Sequence, residues 1–180
     1  MGEPEDDVEW VARCLRGDHS AFEHIVRRYQ KVLFSVAHRM LGNYEDALDV
    51  TQNTFVRAYD GLETYDPKRR FFSWIYRIAV NECLNFRRGR RETTTLPEDQ
   101  SREPGPGQLA EAAEESARID SALIKLSEEH RIVVVLRHFA ELTYSEIADV
   151  IGVPEKTVKS RLFEARQRLG ELLRSQGGNA

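Results

Sequence analysis

Three neighbouring cations stand directly before an aromatic-rich segment of the chain. Lys68, Arg69 and Arg70 precede Phe71, and the rings of Phe72, Trp74, Tyr76 and Phe86 follow, before a second group of arginines at 87, 88, 90 and 91. Rings can stack on unpaired bases while cations bind phosphates, so this composition is typical of a surface for single-stranded nucleic acid. The alternative is that most of the rings belong to the hydrophobic core and the cations solvate the helix ends.

A second candidate surface lies near the C-terminal end. Thr143 and Glu146 form a capping box that opens a short apolar helix, Gly152-Val153-Pro154 makes a turn, and a longer helix follows to about Leu173. This order predicts a helix-turn-helix. The outer side of the second helix carries Lys156, Lys159, Ser160, Phe163 and Gln167, with Arg161 and Arg166 at its flanks. Such a polar, basic face fits a DNA major groove, where Phe163 could contact a thymine methyl group. The alternative is an ordinary helical hairpin in a bundle.

A third helix, predicted from Asn43 to about Asp60, has two unlike faces. Small or apolar residues recur on one side, and the other side carries Glu45, Asp49, Gln52, Asn53, Val56 and Asp60 at helical spacing. The acidic face is either solvated or a docking surface for a basic partner. Val56 favours docking, because an apolar residue inside a charged face is typical of an interface core.

The residue types of an enzyme are not arranged for catalysis. The five histidines form neither His-x-x-x-His nor Glu-x-x-His, and there is no Gly-rich phosphate loop or Gly-x-Ser-x-Gly turn. We therefore expect no catalytic residue, no metal site and no cofactor. Cys14 and Cys83 are too isolated for a disulfide framework and are expected in the core, although a redox role stays open.

The amino-acid composition predicts a soluble protein. The 180 residues are 41% hydrophobic and 31% charged, and no apolar run approaches the roughly 20 residues that span a bilayer. The acidic start lacks a secretory signal, so we expect a cytoplasmic protein without membrane insertion. The net charge of −4 hides a pattern, because residues 92–130 hold 3 Lys/Arg against 10 Asp/Glu.

The elements that must position these surfaces are all predicted to be helices. Asp7 is expected to cap the first, and Ser20 with Glu23 to form a capping box on the second. The β-branched run at 132–135 is interpreted as part of a buried helix. The predicted fold is all-α, with one small domain over 1–91 and another over 118–180. Between them, 92–117 is rich in Glu, Pro and Gly and is expected to be a flexible acidic linker.

Several segments in the same order resemble one protein family. Residues 43–58 (NYEDALDVTQNTFVRA) and 72–81 (FSWIYRIAVN) resemble the first domain of the extracytoplasmic-function (ECF) group of bacterial RNA polymerase sigma factors. Residues 126–131 (LSEEHR), 142–148 (LTYSEIA) and 157–162 (TVKSRL) resemble its second domain. The resemblance covers most of the chain outside the linker and tail. It implies a dissociable subunit that directs promoter-specific transcription initiation.

The resemblance also assigns residues to partners. The family docks on clamp helices of the largest subunit of core RNA polymerase, through positions that correspond to Asp49, Gln52 and Asn53. It captures the promoter −10 element as a single strand, here through Tyr65, Lys68, Arg69, Arg70, Phe71, Trp74, Arg77 and Asn81. It reads the −35 element as duplex, here through Thr157, Lys159, Ser160, Arg161 and Phe163. Members of the family usually have an anti-sigma factor as well.

Two positions depart from the family pattern. Lys156 stands where many members have glycine, and Glu164 stands where a basic residue is common. Lys156 adds a cation near the phosphates, whereas Glu164 could accept from cytosine but would repel phosphate. The other reading is a stand-alone helix-turn-helix regulator that binds palindromic duplex as a homodimer, which leaves the aromatic segment and the acidic face unexplained.

Overall fold

A computed structural model describes residues 4–93 and 110–177 of the chain. The part of the chain that it describes contains helices and no strand. The helices are α1 (Pro4–Leu15), α2 (Phe22–Leu41), α3 (Tyr44–Asp60), α4 (Phe71–Thr93), α5 (Ala110–Ile124), α6 (Glu128–His138), α7 (Tyr144–Ile151) and α8 (Glu155–Gly177). Helical residues enter the predicted linker at both ends, and residues 94–109 of that linker lie outside the described ranges.

Local capping signals set several of these boundaries. The side chain of Asn43 accepts from the amide of Asp46 at 3.0 Å and begins α3, and the Thr143–Glu146 capping box begins α7 as predicted. Gly42 ends α2 at φ 78°, a left-handed conformation that favours glycine. A β-carbon at Gly42 would also lie 2.9 Å from the side chain of Ile124, so no larger residue fits there without a shift.

Two predicted helix starts are wrong. Asp7 does not cap α1, which begins earlier; its side chain is instead buried against α2, where it accepts from Tyr29 and Arg28. Ser20 forms no capping box with Glu23, because a 3-10 turn over His19–Ala21 precedes α2. The hydroxyl of Ser20 donates to Asp18 at 2.6 Å. In both cases the polar side chain forms hydrogen bonds with other side chains instead of capping the helix.

The four N-terminal helices pack around one apolar core, and we call α1–α4 the N-terminal unit. Leu33, Val36 and Met40 of α2 are fully buried, and Ile75 and Cys83 of α4 are buried with them. The small or apolar side of α3 faces this core, as its periodicity predicted, with Ala47, Thr54 and Ala58 inaccessible. This packing leaves the opposite face of α3 on the surface.

We call α5–α8 the C-terminal unit. The β-branched run Ile132–Val135 lies in α6 and is buried, which confirms the helical interpretation over its strand propensity. The inner side of α8 packs on α6 and α7 through Val158, Leu162 and Ala165. The helix-turn-helix of α7 and α8 is therefore fixed by a shared core, with the outer side of α8 exposed.

The two units are in contact. Helix α2 packs on α5 and α6, and α4 packs on α7. Arg131 of α6, only 1% exposed, donates to the carbonyl of Met40 at 2.8 Å and to the carbonyls of Leu123 (2.8 Å) and Leu126 (3.0 Å). One buried guanidinium thus joins the end of α2 to the turn between α5 and α6.

Candidate nucleic-acid and partner-binding surfaces

The acidic side of α3 forms an exposed face. Asp49, Gln52, Asn53 and Val56 are all exposed, and the side chain of Val56 retains 57% of its accessibility. Thr51 and Thr54, on the opposite side, are buried and donate to the carbonyls of Ala47 and Val50. The four candidate docking residues therefore contribute nothing to the core, and they are free to meet a partner.

The loop between α3 and α4 presents its cations outward and its rings inward. Lys68, Arg69 and Arg70 are exposed, whereas Tyr65 and Phe71 are buried and meet edge to face at 5.2 Å. The Tyr65 hydroxyl donates to the carbonyl of Arg69 at 2.6 Å, which fixes the loop backbone over the rings. A cationic rim above an aromatic floor can bind phosphates at the rim and a base beneath.

A cavity of about 510 Å³ opens beside this loop. The loop supplies one wall, and Val8, Glu9 and Ala12 of α1 supply the other. Sequence reasoning missed these three residues, because nothing local indicates where α1 lies relative to residues some 60 positions away. Asp7 fixes that wall: it is 5% exposed, accepts from Tyr29 at 2.6 Å and pairs with Arg28 at 2.7 Å.

The electrostatics of this anchor are dominated by desolvation. Burial raises the pKa of the Asp7 carboxyl above its ordinary value, although the hydrogen bond from Tyr29 and the charge of Arg28 act in the opposite direction. Burial and the bond to Asp7 also raise the pKa of the Tyr29 phenol. Because the Tyr29 ring lies 5.7 Å from Phe71, the anchor of α1 is connected to the floor of the loop.

The aromatic rings of α4 are more buried than rings that stack on bases would be. Phe71 and Tyr76 are buried, and Phe72, Trp74 and Phe86 are half-buried, so none of the five is exposed. Trp74 packs on Tyr65 at 5.6 Å and on Phe71 at 5.4 Å between ring centroids. The core reading therefore holds for most of these rings, and Trp74 supports the loop from beneath.

Two further residues assigned to the −10 element, Arg77 and Asn81, are exposed on α4 and face the C-terminal unit. The guanidinium of Arg77 donates to the carbonyls of Asp149 and Val150 at the end of α7. Arg77 and Asn81 also line a cleft of about 390 Å³ together with Arg161 of α8. Residues assigned to the −10 and −35 elements thus meet at one cleft between the units.

The outer side of α8 is exposed, as its helical spacing predicted. Lys156, Lys159, Ser160 and Phe163 are exposed, with Phe163 at 64%, while Thr157 and Arg161 are half-buried. Lys159 pairs with Glu155 at 2.7 Å, one turn earlier on the same helix. The exposed hydroxyl of Ser160 donates to carbonyls of its own helix, so it can turn toward a base edge without leaving a buried group unpaired.

Two residues of α6 brace this helix, and sequence reasoning missed both. Glu129 pairs with Arg161 at 2.7 Å, and His130 lies 3.3 Å from the carboxylate of Glu164. Glu164, the acid that departs from the family pattern, therefore faces a histidine of α6. These contacts set the side-chain orientation of Arg161 and Glu164 at the edge of the reading face.

The two cysteines and the remaining metal-binding side chains form no site in the described residues. Cys14 and Cys83 are buried and unpaired, as expected of core residues, and burial raises the pKa of the Cys83 thiol to about 12. Within residues 4–93 and 110–177, no three His, Cys, Asp or Glu side chains come together as metal ligands. None of the helices in these ranges is both long and apolar enough to cross a membrane.

Two family models match the chain in order. The model described as Sigma-70 region 2 matches residues 25–93, and the model described as Sigma-70, region 4 matches residues 116–169. The first match contains the acidic face and the cationic loop, and the second contains the helix-turn-helix. Each family match therefore includes the candidate binding surfaces of one unit.

Curated relatives match over almost the whole chain. ECF RNA polymerase sigma factor SigW of Bacillus subtilis is 33% identical over 91% of this chain and 95% of its own length. ECF RNA polymerase sigma factor SigE of Mycolicibacterium smegmatis is 36% identical over 95% of this chain and 70% of its own length. The similarity therefore includes both units.

Solved structures show the same arrangement of helices. CnrH in complex with the cytosolic domain of CnrY aligns with a TM-score of 0.75 at 30% identity, over 94% of this chain and 98% of that chain. The sigma factor RpoE in complex with the anti-sigma factor NepR from Bartonella quintana aligns with a TM-score of 0.71 at 25% identity, over 85% and 96%. Both alignments support an all-helical chain of two units.

Proposed function

The chain belongs to the ECF group of RNA polymerase sigma factors, and we propose that it divides promoter recognition between its two units. Residues 1–91 bind core RNA polymerase and capture the −10 element, residues 118–180 read the −35 element, and 92–117 connect them. The chain acts as an alternative sigma factor that directs promoter-specific transcription. It is a dissociable specificity subunit without chemistry of its own, and it acts in the cytoplasm.

Docking on the polymerase is assigned to the acidic face of α3. The observation that carries it is the uniform exposure of Asp49, Gln52, Asn53 and Val56 on a helix whose opposite side is buried. An apolar residue ringed by polar and acidic ones suits a basic helical partner, here the clamp helices of the largest polymerase subunit. A stand-alone regulator would have no use for this face.

The double variant Asp49→Arg/Gln52→Ala tests this docking. It should lower core-polymerase binding at least about tenfold, since it reverses one interfacial charge and removes a neighbouring polar contact. Its thermal unfolding should stay near wild type because both residues are exposed. The measurement is retention of core polymerase on the immobilised full chain.

The double variant Glu23→Arg/Gln30→Ala on exposed positions of α2 is the matched control. Equal retention by all three proteins would show that α3 is not the docking helix.

Capture of the −10 element is assigned to the loop and the exposed side of α4. Lys68, Arg69 and Arg70 are placed to hold phosphates, and an extruded base would enter the cavity between the loop and α1, beside Tyr65 and Phe71. Arg77 and Asn81 continue this path along α4. The exposed cations above a fixed aromatic floor support the assignment.

Reading of the −35 element is assigned to α8. Lys156, Lys159, Ser160 and Phe163 lie on its outer side, and the half-buried Thr157 and Arg161 lie at the edge of that side. This exposed face supports the assignment, because a recognition helix enters a major groove through such a face. We also propose that an anti-sigma factor binds this chain, since the aligned RpoE was solved with the anti-sigma factor NepR.

A further inference from the structure

An acidic residue, Glu164, lies within the basic outer side of α8. It is adjacent to Phe163 and follows Ser160 by one turn, so the three side chains project from the same exposed side of the helix. The side chain of Glu164 keeps 61% of its accessibility. A duplex that contacts Ser160 and Phe163 would therefore also meet this carboxylate.

One oxygen of the Glu164 carboxylate has a neighbour and the other is open. The Nε2 atom of His130 lies 3.3 Å from Oε2 of Glu164, and α6, which carries His130, packs against α8. Within residues 4–93 and 110–177, no lysine or arginine pairs with this carboxylate, and Oε1 has no hydrogen-bond partner. Glu164 therefore keeps an acceptor for a ligand while His130 restricts its side chain.

A carboxylate distinguishes among the bases in a major groove. When it is ionised it only accepts hydrogen bonds. Guanine presents two acceptors there and thymine one, so neither base offers it a hydrogen. Adenine places its N7 acceptor beside its N6 donor, whereas the N4 amino group of cytosine is a donor without an adjacent acceptor. Cytosine is therefore the base that suits Glu164.

We propose that Glu164 is a specificity-determining residue that accepts from the N4 amino group of a cytosine in the −35 duplex. His130 is the positioning residue that orients the carboxylate. The inference rests on the proposed reading of the −35 element by α8. A basic residue, which is common at this position in the family, would favour guanine instead. The chain thus selects a different base pair at one position of the element.

Substitutions of Glu164 should change the preferred base at one position only. The assay is selection by holoenzyme from promoter duplexes randomised across the −35 element, followed by sequencing of the bound fraction. Wild type should enrich cytosine at one position at least about fivefold over each other base. Glu164→Gln should favour adenine there, because glutamine both donates and accepts, and Glu164→Arg should favour guanine.

Glu171→Gln is the matched control for the loss of charge. Glu171 is exposed two turns beyond Glu164 on the same side of α8, where it pairs with Arg168 at 2.9 Å. Both glutamine variants remove one negative charge near phosphates and should bind every sequence more tightly. Only Glu164→Gln should alter the preferred base. If Glu164→Gln also raises the affinity for all sequences equally, Glu164 acts on phosphates alone and the proposal is overturned.

Two substitutions of His130 test its positioning role. His130→Ala removes the neighbour of the carboxylate and should lower the cytosine preference about two- to threefold, the scale of an exposed pair. It leaves the helix cap in place, because the backbone amide of His130 donates to Ser127. His130→Gln, whose amide can donate to Glu164, should restore the preference. A cytosine preference that is equal in wild type and His130→Ala would overturn the positioning role.

The selection also separates failure of this inference from failure of the proposed function. If Ser160→Ala and Phe163→Ala change the selected sequences but neither Glu164 variant does, α8 reads the −35 element without Glu164, and only this inference fails. If holoenzyme selects no −35 sequence at all, the proposed reading by α8 fails and this inference fails with it. A loss of core-polymerase retention in Glu164→Gln, with unchanged base preference, would assign Glu164 to a protein interface and overturn the proposal.

Discussion

Asp7 shows how one buried side chain positions a wall of the cavity beside the cationic loop. Its bonds to Tyr29 and Arg28 hold α1 beside the cationic loop, and Arg28 in turn lies 4.2 Å over the ring of Trp10. Burial places the pKa of Asp7 above its ordinary value of 3.8. The folded chain therefore holds this proton to higher pH than the unfolded chain does.

A pH dependence of stability follows from that shift. The stabilisation from protonated Asp7 is complete below its ordinary pKa and is lost as the pH rises through the folded pKa. Asp7→Asn removes this titration, so the stability of wild type relative to the variant should fall as the pH rises above about 4. Urea unfolding of both proteins between pH 4 and 7 measures it. Asp60→Asn, at an exposed site, is the control, and identical pH profiles for wild type and Asp7→Asn would contradict the prediction.

Trp74 is the residue through which we propose that the core supports strand opening. Because it packs beneath Tyr65 and Phe71, Trp74→Ala should loosen the loop and reduce transcription from fully duplex promoters at least about tenfold, with a smaller loss on templates premelted at the −10 element. Trp74→Phe, which keeps a ring, should recover most of the activity. Equal losses on both templates, with a lower unfolding temperature, would mean that Trp74 serves only the core.

At the scale of the element, we propose that α8 reads the base sequence and binds phosphates through different residues. Ser160 and Phe163 are exposed, so their side chains are available to contact base edges rather than needed for packing. Ser160→Ala and Phe163→Ala should therefore change which −35 sequence is preferred. Lys159→Ala should weaken all sequences together and lower the salt dependence by about one counterion. Holoenzyme binding to a library of −35 variants at several salt concentrations distinguishes the two effects.

The controls for α8 come from its own surface. Ser175→Ala, also exposed but about three turns beyond Phe163, should leave the preferred sequence unchanged. A preference that Ser160→Ala and Phe163→Ala do not alter would locate base reading at another part of the helix-turn-helix. Lys159 must release Glu155 to reach a phosphate, so Glu155→Gln should strengthen binding slightly for every sequence.

At the scale of the whole molecule, Arg131 connects the units through buried hydrogen bonds. Arg131→Leu would leave the carbonyls of Met40, Leu123 and Leu126 without this donor, each at a cost of about 1–3 kcal/mol when buried. We expect a loss of about 3 kcal/mol or more in the free energy of unfolding. Chemical denaturation measures it, with Arg168→Leu on the exposed side of α8 as control. A loss below about 1 kcal/mol would mean that water replaces the guanidinium at these carbonyls.

The sequence by itself determined the helices and the faces that they expose. The two sides of α3, the capping box of α7 and the outer side of α8 were predicted correctly, because helical periodicity and capping depend on residues within about one turn of each other. The same local reasoning failed at Asp7 and Ser20, where a capping residue bonds to another partner.

Only the tertiary structure decided which of these faces meet. The wall that Glu9 and its neighbours in α1 build beside the loop, the brace of Glu129 on Arg161 and the contact of Arg77 with the end of α7 join residues that are tens of positions apart. It also decided that the rings of α4 are core more than surface. Such contacts depend on how whole helices pack, and the pattern along one helix carries no information about the side chains of another.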